Sequence, residues 1–416
     1  HGQPLSKAGA DIIRTIENLG GNPSEPWKIF DDVRQLYAHR AEELRAIVAR
    51  RRAAINAWRA EHPELAGRLD NYLAHVLPPI DYAAIPHKPD IATRTASADV
   101  LAVLGREVKN MIVASADLAN SDKTEAFLKQ THALTHGDFT GAFLHAGVSE
   151  LTMAAVMNGI LLHGGMEAAC GTFFVFSDYM KPAVRMAALQ ELPVKYIWTH
   201  DAFRVGEDGP THQPVEHEAQ LRLMEELHNL SGQRAMLVLR PADSAETTIA
   251  WEMAMENHKT PTALILSRQD VKDLPSVTGD RYTEAQGMRH GGYVVLDTPA
   301  PQVILVGNGS EVSLLCEVAE LLAAGEVPAR VVSVPSLGLY LDQSDEYKQS
   351  VITPGLPAFG LTAGLPSTLA PVLGAGSKVY GLDHFGSSAP AKVLDEKFGF
   401  TARNILTEVL KYLKRI

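Results

Sequence analysis

The chain has 416 residues, 46% of them hydrophobic and 21% charged, with a formal net charge of −11. At roughly 150 residues per domain, this length accommodates two or three domains with well-filled cores. The acidic balance excludes general nucleic-acid binding but leaves room for a local basic pocket that takes small anions. No apolar run approaches the ~20 residues needed to span a bilayer, and no signal-peptide pattern is present. A cytoplasmic protein with no membrane partner is therefore the expectation, with Cys170 and Cys316 as reduced core residues rather than a disulfide framework.

The chain opens on His1 in the run His-Gly-Gln-Pro-Leu, with no initiator methionine and no capping or strand signal ahead of it. An N-terminal portion is expected to have been removed, to be disordered, or to belong to another polypeptide. Residues 1–88 read as a helical arm and linker. Phe30, Val33, Leu36, Tyr37, Leu44, Ile47 and Val48 recur at the three- and four-residue spacing of an amphipathic helix. Arg50, Arg51 and Arg52 on that stretch read as a solvated face. Pro63 begins a second helical stretch through Leu65, Leu69, Leu73 and Val76, and Pro78, Pro79, Pro86 and Pro89 mark a linker.

Residues 89–275 read as an α/β domain. Short apolar runs at Met111–Ala114, Val194–Trp198, Ala235–Leu239 and Thr262–Leu266 have the character of buried parallel strands. Helical stretches such as Glu150–Leu162 and Ala245–Met255 separate them, and Gly164-Gly165 supplies a helix stop. Residues 271–291 are polar and turn-rich, which suits a domain boundary. A second α/β domain over 290–416 has strand candidates Tyr293–Leu296, Val303–Val306, Arg330–Val334 and Val379–Leu382. Its loop Gly307-Asn308-Gly309-Ser310-Glu311 joins a strand to a helix, a geometry that can bind phosphate but that Gly and Ser also adopt as ordinary turn and cap residues. The fold class is α/β, with largely parallel sheets flanked by helices.

The densest chemical cluster is Thr199-His200-Asp201 followed by the run from Gly206 to Glu216, which contains Asp208 and His212. It follows a buried strand, where open α/β sheets bind ligands, and its histidines and carboxylates suit proton transfer and hydroxyl recognition. His200 and His212 are too far apart for helical metal-ligand pairing and no Cys pair accompanies them, so no protein-only metal site is expected. Glu150 opens a helix, where a carboxylate ordinarily caps or complements the dipole. Phe173, Phe176 and Tyr179 recur every three residues; such a stripe is either core or an aromatic wall for a flat heterocycle. Arg94, Arg268 and Ser121 stand beside candidate strands, and arginine forks recognise phosphates.

Together these motifs resemble the transketolases over nearly the whole chain. His1 to Leu5, Ser115-Ala116-Asp117-Leu118, Gly147-Val148-Ser149-Glu150, Thr172-Phe173 with Phe176, Tyr179 and Ala183 to Leu189, Gly206 to Glu216, Ala263 to Gln269 and Ser333-Val334-Pro335-Ser336 carry the resemblance. It implies a pyrimidine-binding domain followed by the family's C-terminal domain. The implied cofactors are thiamine diphosphate and Mg2+, with the diphosphate and metal held by an N-terminal domain that the chain does not show. Gly137-Asp138-Phe139, Glu207-Asp208-Gly209 and Gly279-Asp280-Arg281 do not fit that domain's Gly-Asp-Gly motif.

By the same resemblance, Glu150 is the glutamate that hydrogen-bonds the aminopyrimidine and favours its imino tautomer. Phe173, Phe176 and Tyr179 form the ring pocket, and Asp117 helps shape it. His1, His200 and His212 lie near the sugar hydroxyls and the reacting carbon, Asp208 reads a substrate hydroxyl, and Arg94, Ser121, His200 and Arg268 hold the sugar phosphate. The implied partners are sugar phosphates, a second copy of the chain in a homodimer, and the N-terminal transketolase domain or subunit; the second α/β domain is expected to be a dimerisation and structural unit. One departure is Ser149, where the family has an arginine; Arg204 is a candidate substitute. Other thiamine diphosphate enzymes, of the 2-oxo-acid dehydrogenase beta or deoxyxylulose-phosphate synthase type, and a non-catalytic family-derived binding protein are the alternatives.

Overall fold

The structure, a computed structural model, describes residues 2–4, 6–374 and 376–414. The chain forms two compact units, residues 1–70 and 71–416. In the first, α1 (Ile12–Asn18) starts where the Asp11 side chain accepts from the backbone N–H groups of Ile13 and Arg14. The second helix, α2 (Asp31–Glu61), runs for 31 residues, and α3 (Pro63–Leu73) follows after one residue. Arg59 on α2 binds both oxygens of Asp70 on α3, at 2.7 and 2.8 Å. The apolar periodicity does produce a helix, but α2 buries none of its residues, and Leu36, Tyr37, Leu44 and Val48 remain exposed.

In the second unit, β1 (Met111–Ser115), β2 (Phe143–His145), β3 (Glu167–Phe173), β4 (Lys195–Thr199), β5 (Leu237–Leu239) and β6 (Thr262–Leu266) form a six-stranded sheet in the order β2-β1-β3-β4-β6-β5. Every pairing is parallel. Helices α4 (Thr93–Glu107), α5 (Glu125–Leu128), α6 (Glu150–His163), α7 (Ser177–Leu189), α8 (His217–Glu226) and α9 (Ser244–Glu256) connect and flank the strands. Covered on both faces, β4 and β6 are buried along their whole length, which is why they read as continuous apolar runs.

Strand β3 is equally buried but was invisible as a strand, because its sequence is Glu-Ala-Ala-Cys-Gly-Thr-Phe. Small residues are needed there. A Cβ on Gly171 would lie 2.7 Å from Thr124 Cγ2 and 2.8 Å from Asp122 Oδ2. Burial of Glu167 at the strand's start is compensated by the Lys195 ammonium on the neighbouring strand.

A second sheet of five strands, β7 (Tyr293–Leu296), β8 (Val303–Gly307), β9 (Ala329–Ser333), β10 (Ala358–Leu361) and β11 (Lys378–Tyr380), has the order β11-β10-β8-β9-β7. Only β7 is antiparallel, paired to β9. One apolar cluster runs through both sheets' layers, from Leu239 and Ile249 to Val303, Leu315 and Phe359. Both cysteines are free and buried, and burial pushes the Cys316 thiol up to about 12. Among the described residues no helix is long and apolar enough to cross a membrane.

Candidate active site

A parallel sheet puts the carboxyl ends of all its strands on one edge, and the loops there can converge. β1 ends at Ser115 and leads to Asp117 and Ser121; β2 leads to Glu150; β3 ends on Phe173; β4 leads to His200; β6 leads to Ser267 and Arg268. Helix α4 is anchored to the same edge. Thr93 N–H donates to Ser267 Oγ at 3.0 Å and Ser267 N–H returns to Thr93 Oγ1 at 2.7 Å, which sets Arg94 over the edge.

The aromatic stripe is neither a single helix face nor plain core. Phe173 ends a strand, Phe176 ends a 3-10 turn, and Tyr179 lies in the first turn of α7. Phe173 stacks on His200 with ring centroids 3.6 Å apart and on Phe176 at 5.9 Å, and Phe176 stacks on Tyr179 at 6.1 Å. His212 meets Phe176 edge-on at 5.4 Å. The result is a continuous array from Tyr179 to His200, buried at Phe173 and open at Tyr179, which is 62% exposed.

Glu150 stands at the open end of this array. It is 8% exposed, in the first turn of α6. A capping carboxylate would accept a backbone N–H of its own helix; the Glu150 carboxylate accepts no hydrogen bond among the described residues, and Ser149 spends its hydroxyl on the Ala146 carbonyl at 2.7 Å. With Phe176 and Tyr179, Glu150 lines a cleft of about 480 Å³. A buried acceptor with no protein partner, beside aromatic faces, suits a flat ring that brings its own N–H donor.

At the other end lies a cationic group. Arg94 Nη1 donates to the Ser121 carbonyl at 2.8 Å and approaches His200 Nε2 at 3.4 Å. A guanidinium only donates, so Nε2 accepts and the imidazole proton sits on Nδ1, 2.8 Å from Thr199 Oγ1. Burial, followed by the charges of Arg94, Arg268, His212 and Lys123, pushes the His200 pKa down to about 2. Burial and then the neighbouring Arg268 hold Arg94 below its ordinary value. Two guanidiniums crowd a neutral imidazole, an arrangement that an incoming anion would relieve.

Not every expected residue joins this array. Asp117, with φ +63°, and Asp208 are exposed and make no hydrogen bond among the described residues. His1 lies outside the described residues. Arg204 is no substitute for an arginine at Ser149: it is buried, and its guanidinium is committed to Asp395 at 2.7 Å, Glu311 at 2.8 Å and Ser310 at 3.2 Å. The Gly307 to Glu311 loop is no open phosphate cradle either. Arg240, 1% exposed, fills it, donating to Asn308 Oδ1 at 2.9 Å and pairing with Glu311 at 2.7 Å and Asp201 at 2.7 Å.

Sequence reasoning also passed over Asp122. It is fully buried between Ser115 Oγ at 2.6 Å and Thr124 Oγ1 at 2.7 Å. Burial raises its pKa to about 6 against these hydrogen bonds. Its only sequence signal was a place seven residues after the end of β1.

Comparison with known proteins places both α/β domains. Residues 89–273 match the transketolase pyrimidine-binding domain model, and residues 291–401 match the transketolase-like C-terminal domain model. A transketolase of Geobacillus stearothermophilus is 36% identical over 419 aligned positions, covering 98% of this chain and 59% of that protein. The transketolase from Leishmania mexicana superimposes with a TM-score of 0.86 at 34% identity, covering 97% of this chain and 58% of that one. A split-gene transketolase, solved as an inactive β4 tetramer, gives a TM-score of 0.60 at 26% identity, covering 78% of this chain and 99% of that one. The chain thus spans about 59% of the length of the curated relatives it matches. By its two matched domains and its mostly parallel α/β fold, the chain belongs to the transketolase family.

Proposed function

We propose that the chain supplies the pyrimidine- and substrate-binding side of a thiamine diphosphate-dependent transketolase, which moves a two-carbon ketol unit from a ketose phosphate to an aldose phosphate. On this reading it works with a domain, outside these residues, that holds the diphosphate and its magnesium, and within a homodimer. The single observation that carries the proposal is the Glu150 carboxylate, buried without a protein partner beside Phe176 and Tyr179 in the cleft. That site fits an aminopyrimidine: the aromatic side chains offer faces for stacking, and the carboxylate offers an acceptor at a ring nitrogen.

When bound, the cofactor would supply the electron sink for cleavage of the sugar's carbon–carbon bond. The rest falls to this chain's residues. Glu150 would hold the proton at the ring nitrogen N1′, and a ring seated over Phe176 and Tyr179 would shield that shared proton from water. Phe173, Phe176 and Tyr179 would keep the ring in register, with Asp117 shaping the approach. Arg94, Ser121, His200 and Arg268 would take the sugar phosphate, which would settle the crowded cations. His212, Asp208 and His1 would read hydroxyls, and a hydroxyl-reading carboxylate discriminates against the wrong epimer because that epimer leaves it unpaired.

The split-gene neighbour, which spans 78% of this chain, is inactive as a tetramer, which supports dependence on a further domain. The test is ketol transfer from xylulose 5-phosphate to ribose 5-phosphate. The 416-residue chain alone is expected to show negligible turnover, and addition of a transketolase N-terminal domain is expected to restore it. Full activity of the chain alone would refute the dependence. Undiminished turnover of Glu150→Ala in the reconstituted enzyme would refute the assignment of the glutamate.

A further inference from the structure

At the amino edge of the first sheet, the edge away from the cleft, three side chains from distant segments converge. His75 lies in the turn after α3, Glu167 is the first residue of β3, and His258 lies in the loop between α9 and β6. One ligand atom from each lies within 4.8 Å of the others. His75 Nδ1 is 3.1 Å from Glu167 Oε1. In a tetrahedral zinc site with bonds of about 2.0–2.1 Å, neighbouring ligand atoms stand about 3.3 Å apart. The His75–Glu167 pair already spans that edge.

The surroundings of the pair are those of a supported ligand. His75 holds φ +54°, a left-handed conformation that a side-chain-bearing residue adopts at a cost and that here turns its ring onto Glu167. Glu167 is fully buried, and its other oxygen, Oε2, accepts from the equally buried Lys195 ammonium. That contact fixes the carboxylate plane and leaves Oε1 as the outward corner, the role outer-shell donors play around metal-binding carboxylates. His258 is exposed, so an ion has a way in and a water can complete the coordination.

We propose that His75, Glu167 and His258 form a binding site for a divalent cation of the zinc type, which clamps the turn after α3 and the α9–β6 loop onto the start of β3. Two histidines and one glutamate with a water is a ligand set that zinc takes, and the mixed N/O donors disfavour calcium and magnesium. Lys195 is the opposing charge; the carboxylate stands between it and the ion, and the Glu256 carboxylate acting on His258 adds negative charge.

The full chain, stripped with a chelator, is titrated with Zn2+ by calorimetry and with Co2+ while its visible spectrum is recorded. The expected results are one ion per chain, a tetrahedral Co2+ band, and a thermal midpoint raised by Zn2+. His258→Ala removes an exposed side chain, so its melting in chelator should match the parent, while its Zn2+ affinity falls at least about tenfold and the Co2+ band disappears. His75→Gln should lose the band in the same way. Absence of stoichiometric uptake by the parent chain, or equal affinity in His258→Ala, overturns the proposal. None of these readouts involves ketol transfer, so their outcome is independent of the activity proposed above.

Discussion

Arg240→Met replaces a guanidinium at the seam between the sheets with an apolar side chain of similar length. Arg240 is 1% exposed and faces Asp201 at 2.7 Å, Glu311 at 2.7 Å, Glu218 at 3.4 Å and Asn308 Oδ1 at 2.9 Å. Burial pushes Asp201 above the ordinary carboxylate range even with Arg240 in place. Burial acts on Glu311 too, but Arg240 and Arg204 outweigh it and hold that group below its ordinary value. Removing one partner of a buried ion network costs about 3–5 kcal/mol, because the remaining charges keep their desolvation cost. In a chain of this size that corresponds to a fall in the thermal midpoint of about 3–6 °C.

The loss should depend on pH in a defined direction. Without Arg240, Asp201 rises further above its unfolded value, and Glu311 loses the larger of the two cations that hold it low. The penalty is therefore largest at neutral pH and shrinks as pH falls through the raised values and the carboxylates take up protons. Thermal and urea unfolding of parent and variant at pH 7 and pH 5 would measure this. A variant that melts with the parent at pH 7, or whose deficit is the same at both pH values, would refute the view that this cluster is a charge-balanced seam.

Other outcomes can be checked alongside. In the reconstituted enzyme, Glu150→Gln should keep the fold by circular dichroism and lose about 10²–10⁴-fold in turnover, the range for a positioned proton-transfer group. Arg268→Ala should raise KM for phosphorylated sugars by roughly 10–150-fold, the equivalent of a charged hydrogen bond of about 1.5–3 kcal/mol, and leave the KM of unphosphorylated sugars nearly unchanged. His200 is held near pKa 2 when folded and titrates near 6.5 when unfolded. Its contribution to stability is therefore present above pH 6.5 and lost as pH falls below it, so His200→Asn should lose about 2 kcal/mol less stability than the parent between pH 6.5 and 5 in urea titrations. Gly171→Val should cost about 1–3 kcal/mol in the same titrations, since its side chain meets Asp122 and Thr124 with no room to move.

The strands that could be read in the sequence were those dense in large or branched apolar residues. Thr262–Leu266 and Tyr293–Leu296 have the expected bounds, and the runs at Met111, Lys195, Val303 and Ala329 differ by a residue or so. β3 escaped because close packing demands small residues and its buried Glu167 is balanced by a lysine 28 residues away. β2 and β10 escaped because Phe-Leu-His and Ala-Phe-Gly-Leu mix small or polar residues with apolar ones and form no run of large or branched apolar side chains. Spacing could not decide between a capping and a ring-binding Glu150, since that depends on which hydrogen bonds its carboxylate does not make. Phe173, Phe176 and Tyr179 looked like one periodic face, yet they straddle three elements, and they share a wall because the chain turns sharply after β3. Arg204 and Arg240 gave no hint of Glu311 and Asp395, partners that lie on the far side of the boundary expected near residues 271–291.

The second sheet reaches further into the chemistry than its distance in sequence implies. Gln213, deep in the loop that bears Asp208 and His212, donates to the carbonyl of Ser387 at 2.9 Å, and Ser388 Oγ donates to the Glu207 carbonyl at 2.5 Å. Asp395 grips Arg204 just before that loop begins. A protein trimmed after residue 275 would keep the residues of all six strands and of the aromatic wall, but would lose the hydrogen bonds that hold this loop from residues 387–395. Substitutions around residues 384–395 can therefore shift the loop that bears Asp208 and His212 without touching any group at the cleft.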